Sequence, residues 1–158
     1  MALSAVITEI GKRRIGELAA GFITGPFSPG GLDQLVRPVH FLLGVGGQTD
    51  GRQKPPDATR VDLEAPTAIG SRIQKALVGP VGFGNDINVN LGAQEPTVEF
   101  KLVLTAAENN LGAGITVAEV GVFVQFGANA PDLFVYGTFP PFLSDGTLAV
   151  DLRLNPKI

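Results

Sequence analysis

Three segments in the second half of the chain alternate apolar with other residues, and this alternation limits the possible folds more than any other feature. Residues of such a segment that are two apart lie on one face of a β-strand, so each segment predicts a strand with one buried face. The segments are "EFKLVLTA", "VAEVGVFVQF" and "LAVDLRL", and the aligned apolar residues are Phe100, Leu102 and Leu104; Val120, Val122, Val124 and Phe126; and Leu148, Val150, Leu152 and Leu154.

Short connections join these predicted strands. "ENNLGAG", "GANAPD" and "LSDG" are rich in turn residues, and "DLFVYG" reads as a further short strand. Sequential short strands with short turns indicate an antiparallel meander or sandwich. We therefore expect a single domain over residues 1–158, mainly β (α+β), built as an antiparallel β-sandwich with a β-rich part at 86–154.

One N-terminal α-helix is predicted at residues 4–20. Ser4 is a suitable N-cap and Gly21 a suitable terminator. Gly11 and Gly16 inside the helix each cost about 1 kcal/mol relative to Ala, which suggests close packing against another backbone. The apolar residues at helical spacing are Ile7, Ile10, Ile15, Leu18 and Ala19.

Two long connections, 24–36 and 46–66, are rich in proline, glycine and polar residues. Loops of that length in a compact domain usually carry a function or are ordered by a partner. We expect both to be contact loops.

Composition excludes several classes of function. The net charge of −3, with no marked basic patch, gives no footprint for nucleic acid, and no apolar run is long enough for a membrane helix. The absence of cysteine removes disulfides and thiol chemistry. Only 17% of residues are charged, against ~25% in a typical soluble domain, so we expect other subunits to cover much of the surface.

No arrangement of residues indicates an enzyme. The single histidine, His40, lies in a predicted strand with no acid at the spacing of a triad or metal site. Asp50 and Asp57 flank "GRQKPP" without the spacing of a calcium loop. "GVGG" and "VGFGND" lack the context of phosphate-binding loops and read as turns. We expect no catalytic residue, no cofactor and no bound metal.

Glu119 is the exception that needs an explanation, because it is one acid among nine uncharged residues of "VAEVGVFVQF". If the valines face the core, Glu119, Gly121 and Phe123 share the other face, and Glu119 need not be buried in its own subunit. The bare position at Gly121 would let another backbone approach. We predict that Glu119 accepts hydrogen bonds from a loop or a basic side chain, within the fold or across a subunit contact.

Four features occur in an order that resembles a known family. They are the helix "ITEIGKRRIGELAAG", with Thr8 three residues before Gly11; "VHFLLGVGGQTDGRQKPPDAT", with Gly44 and Gly46; the strand "VEFKLVLTA"; and "ITVAEVGVFVQFGANAPDLFVYGTFPP" before "LAVDLRL". The order is similar to the N-terminal attachment domain of bacteriophage tail-collar fibre and related baseplate proteins. The connection at 24–36 and the turn "GANAPD" depart from the family pattern.

The resemblance implies a structural protein of a phage tail, made in the host bacterial cytoplasm and located in the virion. Its partners would be other tail, baseplate or fibre proteins and copies of itself, as a trimer or a hexamer-related ring, with no nucleic acid or membrane partner. Because the chain stops after the closing strand, we expect a free-standing adaptor. The residues expected to have structural or interface roles are Thr8, Gly11, Gly44, Gly46, Asp50, Asp57, Glu119, Gly121 and Phe123.

Two alternatives stay open. The first is a β-sandwich that recognises host glycan directly, although ten Phe, one Tyr and no Trp do not suggest sugar-stacking platforms. The second is an enzyme such as a depolymerase, for which Asp50, Asp57, Glu64, Glu119 and Asp151 would be the candidate acids.

Overall fold

The structure, a computed structural model, describes residues 3–19, 36–66, 74–76, 87–90, 97–108, 110–127, 129–147 and 149–156. It contains one helix, α1 (Glu9–Ala19), in these ranges. The strands are β1 (Ser4–Ile7), β2 (Val36–Gly44), β3 (Gln48–Thr49), β4 (Arg52–Gln53), β5 (Gln74–Ala76), β6 (Ile87–Asn90), β7 (Thr97–Leu104), β8 (Asn110–Phe126), β9 (Asp132–Asp145) and β10 (Val150–Leu154).

The strands form two main antiparallel sheets. A five-stranded sheet has the order β1-β9-β8-β2-β5, and a three-stranded sheet has the order β10-β7-β6. The long β8–β9 hairpin is the centre of the larger sheet, with β2 beside β8 and the short β1 at the edge beside β9. The predicted mainly-β, antiparallel fold is confirmed.

One core of buried apolar side chains joins the two sheets, as in a β-sandwich. Apolar residues that alternate along β7, β8 and β10 all point into it, so the predicted buried faces of these strands are confirmed where the structure describes them. The members of this core are Phe41, Leu43, Phe100, Leu102, Leu104, Val117, Val120, Val122, Val124, Phe126, Val135, Phe139, Val150, Leu152 and Leu154.

An irregularity in the pairing of β8 with β9 sets which β8 residues face this core. Val117 and Val120 are three residues apart, yet both side chains are buried in the same core. The register of β8 against β9 shifts between Val117 and Glu119: one β8 residue lies between these positions, and three β9 residues, Phe139 to Pro141, lie between their partners. Such an irregularity changes the facing of the strands beyond it. The shift directs Val120 inward and Glu119 to the opposite face.

The predicted helix at 4–20 is wrong at its start. Residues Ser4–Ile7 form β1, and the helix begins at Glu9. Thr8 rather than Ser4 caps it, since the Thr8 Oγ1 accepts the Gly11 N–H at 3.1 Å and the Thr8 carbonyl accepts the Lys12 N–H. The apolar spacing that suggested a longer helix includes Ile7, which is buried as a strand residue.

The two long connections have different outcomes. Loop 24–36 lies outside the described residues, apart from Val36, which begins β2. Residues 46–66 are described, and they hold the small β3–β4 hairpin. Asp50 and Gly51, with φ of 50° and 76°, form its two-residue turn, and positive φ at both positions is what an Asp-Gly hairpin turn favours.

Candidate functional site

Glu119 is fully buried, on the face of the five-stranded sheet that lies away from the sandwich core. Within the sheet it pairs with Thr138 of β9 on one side and with Gly44 of β2 on the other. Its side chain has 0% exposure. The expectation that Glu119 need not be buried in its own subunit is therefore wrong, because residues of the same chain cover it.

Four donors bind the Glu119 carboxylate. Oε1 accepts the backbone N–H groups of Gly46, at 3.1 Å, and Ala65, at 2.8 Å. Oε2 accepts the backbone N–H of Glu64 at 2.8 Å and the hydroxyl of Tyr136 at 2.7 Å. A carboxylate offers about four lone-pair sites, so these donors fill its acceptor capacity. Three of the donors belong to loop 46–66, and Glu119 accepts loop N–H groups as predicted, within the fold.

Glycines make room for the carboxylate. A Cβ atom on Gly44 would collide with Glu119 Oε1 and approach the Ala65 carbonyl oxygen to 2.7 Å. A Cβ atom on Gly46 would come within 2.7 Å of the same Oε1 and 2.9 Å of the Ala65 nitrogen. Gly47 has a φ of +72°, a conformation that side chains disfavour. The turn "GVGG" thus brings backbone against a buried acid.

A small apolar cluster lies beside the carboxylate on the same face. Its buried members are Leu42, Leu63, Leu133 and Tyr136, and Phe123 packs against them. Leu63 belongs to the loop, so the cluster joins the loop to the sheet by apolar contact as well as by hydrogen bonds.

Gly121 and Phe123 take intrachain positions. A Cβ atom on Gly121 would lie 2.5 Å from Leu63 Cδ1 and 2.7 Å from Leu133 Cδ1. The expectation that another backbone approaches Gly121 is therefore wrong; two leucine side chains of the same chain occupy that space. Phe123 is half-buried and stacks on His40, with ring centroids 4.8 Å apart.

Further polar contacts fix the middle of the loop. The Thr138 hydroxyl donates to the Lys54 carbonyl at 2.6 Å, and the Gln53 amide donates to the Thr138 carbonyl at 2.8 Å. Glu64 binds the Lys54 ammonium and the Gly47 N–H, and these two contacts, in that order, lower the pKa of the Glu64 carboxyl. Loop 46–66 is thus ordered by its own sheet.

Thr8 and Gly11 form a second junction, between α1 and β9. The Thr8 hydroxyl donates to the Leu133 carbonyl, and the Thr8 N–H donates to the Phe134 carbonyl at 3.0 Å. A Cβ atom on Gly11 would lie 2.8 Å from the Phe134 ring and 3.0 Å from its carbonyl oxygen. Gly11 thus packs against backbone as predicted. Close packing was also expected at Gly16, but a Cβ atom there would meet no atom of the described residues within 4 Å, so that expectation is wrong for the part of the chain that the structure describes.

Asp50 and Asp57 do not join the Glu119 site. Asp50 occupies the β3–β4 turn. Asp57 accepts the Thr59 hydroxyl at 2.7 Å and the Thr59 N–H at 2.9 Å, and these bonds lower the pKa of its carboxyl. No group of three or more His, Cys, Asp or Glu side chains that could hold a metal occurs in the ranges that the structure describes.

The chemistry of this arrangement is that of an anchor. All four acceptor positions of Glu119 are occupied, so the carboxylate offers no lone pair to a substrate or ion. Burial, and then the hydrogen bond to Glu119, raise the pKa of the Tyr136 hydroxyl well above its ordinary value. Tyr136 therefore stays a neutral donor at neutral pH.

The sequence did not allow several residues of the site to be predicted. Tyr136, Leu63 and Thr138 bind or cover the anchor, and no motif marks them. The one available signal was that the chain has a single tyrosine, placed in an apolar strand where its hydroxyl needs a partner.

The fold and the site together define a mainly-β sandwich with a loop anchored on a buried carboxylate. Comparison with protein-family models, with curated proteins and with solved structures finds no match to this chain. In the described part of the chain, no helix combines the length and apolar character that crossing a bilayer requires.

Proposed function

We propose that this chain is a structural component of a bacteriophage tail, most simply a baseplate or tail-fibre attachment adaptor that works by assembly. Its partners would be other tail, baseplate or fibre proteins and further copies of itself in a trimer or hexamer-related ring. The resemblance set out above leads to this proposal.

One observation carries the proposal: residues of the motifs that resemble the family fix α1 and loop 46–66 on the sheet. Thr8 and Gly11 seat the helix on β9. Gly44, Gly46 and Glu119 seat loop 46–66 on the outer face of the sheet. Such residues build a rigid shape rather than a reactive centre, which is what a protein that works through its contacts requires.

Loop 46–66 is the proposed contact surface. Its base is fixed by Glu119 and Thr138, while Val61 near its end is 70% exposed between Arg60 and Asp62. A pre-ordered loop loses little conformational entropy when it binds. Val61 and its neighbour Arg60 give this loop an apolar and a cationic contact group, and arginine is enriched among the residues that dominate binding energy at interfaces.

Particles from a bacterium that encodes the chain provide the direct test. We expect the chain in purified tails by mass spectrometry, and antibodies against it should label one end of the tail in electron micrographs. Tails that lack the chain, together with a stable monomer at micromolar concentration, would refute the proposal.

A matched pair of variants tests the contact surface. Val61→Asp should lower incorporation into tails at least several-fold without changing the thermal stability of the isolated chain. Leu143→Asp is the control, since Leu143 is also an exposed apolar residue, at 57%, but lies on β9 away from the loop. Equal incorporation of both variants would remove loop 46–66 from the interface. Saturable binding of the chain to a glycan array would instead favour the receptor-binding alternative.

A further inference from the structure

Strand β10 is an edge of the three-stranded sheet among the described strands, and its sequence alternates strictly. Val150, Leu152 and Leu154 are buried in the sandwich core, while Asp151 and Arg153 lie on the outer face with 48% and 54% of their side chains exposed. An edge strand of this kind presents backbone groups that another strand can pair with.

Two basic side chains lie opposite each other on the face of the β10–β7 pair that points away from the core. Arg153 lies directly opposite Lys101 on the neighbouring β7, and Asp151 lies opposite Val103. Like charges at directly opposed positions of an antiparallel pair destabilise it. The Asp151 carboxylate is 3.5 Å from the Arg153 guanidinium along the same strand, which is at the long end of hydrogen-bond geometry. An additional acid on the side of Arg153 that lies away from β7 would offset the repulsion from Lys101.

A second copy of β10 supplies such an acid. When two antiparallel copies pair about Leu152, Asp151 of each copy lies opposite Arg153 of the other, and Val150 lies opposite Leu154. Residues two apart share a face, so both ion pairs lie on the outer face while the apolar residues stay in the two cores. The segment "VDLRL" is therefore complementary to itself.

We propose that two copies of this chain associate through β10, antiparallel and centred on Leu152, so that the described β10-β7-β6 sheets of the two copies become one continuous sheet. A groove lined by Leu3, Asp151, Leu152 and Arg153 borders this edge. The contact is symmetric, as in most homodimers. It fits a hexamer assembled from three dimers, and it does not require that the chain be a tail component.

Charge exchange in the isolated chain tests the pairing. Asp151→Arg would place Arg opposite Arg, and Arg153→Asp would place Asp opposite Asp, at two symmetric positions each. Since opposed pairs contribute up to about 1 kcal/mol each, either single change should weaken the dimer about tenfold or more. The double variant Asp151→Arg/Arg153→Asp restores opposite charges and should return the dimer to within about threefold of the original Kd. Sedimentation velocity over a micromolar concentration series measures these constants.

Two controls separate pairing from folding. Arg153→Asp places an acid opposite Lys101 in its own sheet, so its melting temperature as a monomer should be maintained or raised. Lys12→Asp makes the same change of net charge on the exposed part of α1 and should leave the dimer unchanged. A monomeric original chain, insensitivity of the association to either single change, or failure of the double variant to recover would each overturn the pairing. Detection or absence of the chain in tails bears only on the proposed function.

Discussion

The two faces of the five-stranded sheet are covered in different ways. On one face, apolar side chains of β2, β8 and β9 pack against those of β7 and β10 in a continuous core. On the other face, loop 46–66 lies over the sheet, and a small apolar cluster there is joined to a buried carboxylate with four donors. Burial of apolar area stabilises the packing on the first face, and directional hydrogen bonds to Glu119 fix the loop on the second.

This difference explains why an acid is present in a buried strand. Burial of apolar surface is strong but non-directional, so it favours contact between the sheets without fixing a loop at one position. Hydrogen bonds to a carboxylate are directional and strong, and they fix the loop backbone atoms that donate them. The arrangement requires that every donor be present, because a buried charge without partners is costly.

The largest expected effect is that of Glu119→Gln. The new amide would place an NH2 group against two of the four donors, which leaves those donors without an acceptor. We expect the free energy of unfolding to fall by about 4 kcal/mol, since each unsatisfied buried donor costs about 1–3 kcal/mol. Urea denaturation measures the loss. Hydrogen exchange should show that the amides of Gly46, Glu64 and Ala65 lose protection first.

The same Glu-to-Gln change at an exposed position is the control for Glu119→Gln. Glu108→Gln lies in an exposed turn, where the Thr105 N–H can still bind the remaining carbonyl oxygen, and should change stability by less than about 0.5 kcal/mol. Equal stability of Glu119→Gln and the original chain would contradict the anchoring role.

A cavity in the apolar core should have a different signature. Leu102→Ala removes a fully buried side chain from β7 and should cost about 3 kcal/mol, within the range for such truncations. Because the core joins both sheets, hydrogen exchange should rise across β7, β8 and β10 together rather than first in the loop. Selective opening of loop 46–66 in this variant would show that the two faces are not held independently.

A smaller effect is expected from Tyr136→Phe, which deletes one of the four donors and keeps the ring. We expect a loss of about 2 kcal/mol, typical of a hydrogen bond to a charged group. The remaining donors and Leu63 should keep the loop in place, so protection of the Ala65 amide should fall only partly. A loss as large as that of Glu119→Gln would contradict the shared anchoring.

The same tyrosine predicts a dependence on alkaline pH. Its folded-state pKa is raised above the ordinary phenol value of about 10, so the folded chain keeps a proton that the unfolded chain releases. This contribution is fully present below about pH 10 and is lost as the pH rises further, by up to about 1.4 kcal/mol per pH unit. Tyr136→Phe should lack this part of the slope. Because Tyr136 is the only tyrosine, phenolate absorbance reports on it alone and should appear only with unfolding.

Much of the apolar core could be predicted from the sequence, because alternation follows directly from strand geometry. Leu102 and Leu104 and the run from Val120 to Phe126 all lie where period two places them. The register shift between Val117 and Glu119 was not predicted. Pro140 and Pro141 lie in the part of β9 opposite it, and proline cannot donate to a strand ladder, but the sequence did not show that this part of β9 pairs with β8 there. The helix start was misjudged because Ile7 continues a helical spacing although it belongs to β1.

The sequence allowed the hydrogen-bond acceptor of the site, Glu119, to be predicted, but none of the groups that donate to it. Glu119 was conspicuous because a buried strand disfavours an acid, whereas the interpretation of "GVGG" as a turn did not indicate that Gly44 and Gly46 lie against its carboxylate. Its backbone donors belong to residues 46, 64 and 65, whose side chains take no part in these bonds, so no residue type identifies them. Long-range backbone contacts of this kind depend on the fold as a whole.

The smallest expected effect lies at the junction between the two regions. The Thr8 hydroxyl donates to the carbonyl of Leu133, which belongs to the small apolar cluster beside the Glu119 carboxylate. The Thr8 N–H donates to the carbonyl of Phe134, whose ring packs against the sandwich core. Thr8→Ala should cost about 1 kcal/mol, as for other N-cap deletions, and should raise exchange of the Gly11 amide. Thr8→Ser keeps the hydroxyl and should retain most of the stability. If Thr8→Ala reduces protection in loop 46–66 and in β9 alike, the N-terminus of α1 couples the two faces; if Thr8→Ser is as destabilised as Thr8→Ala, the methyl group rather than the cap is what matters.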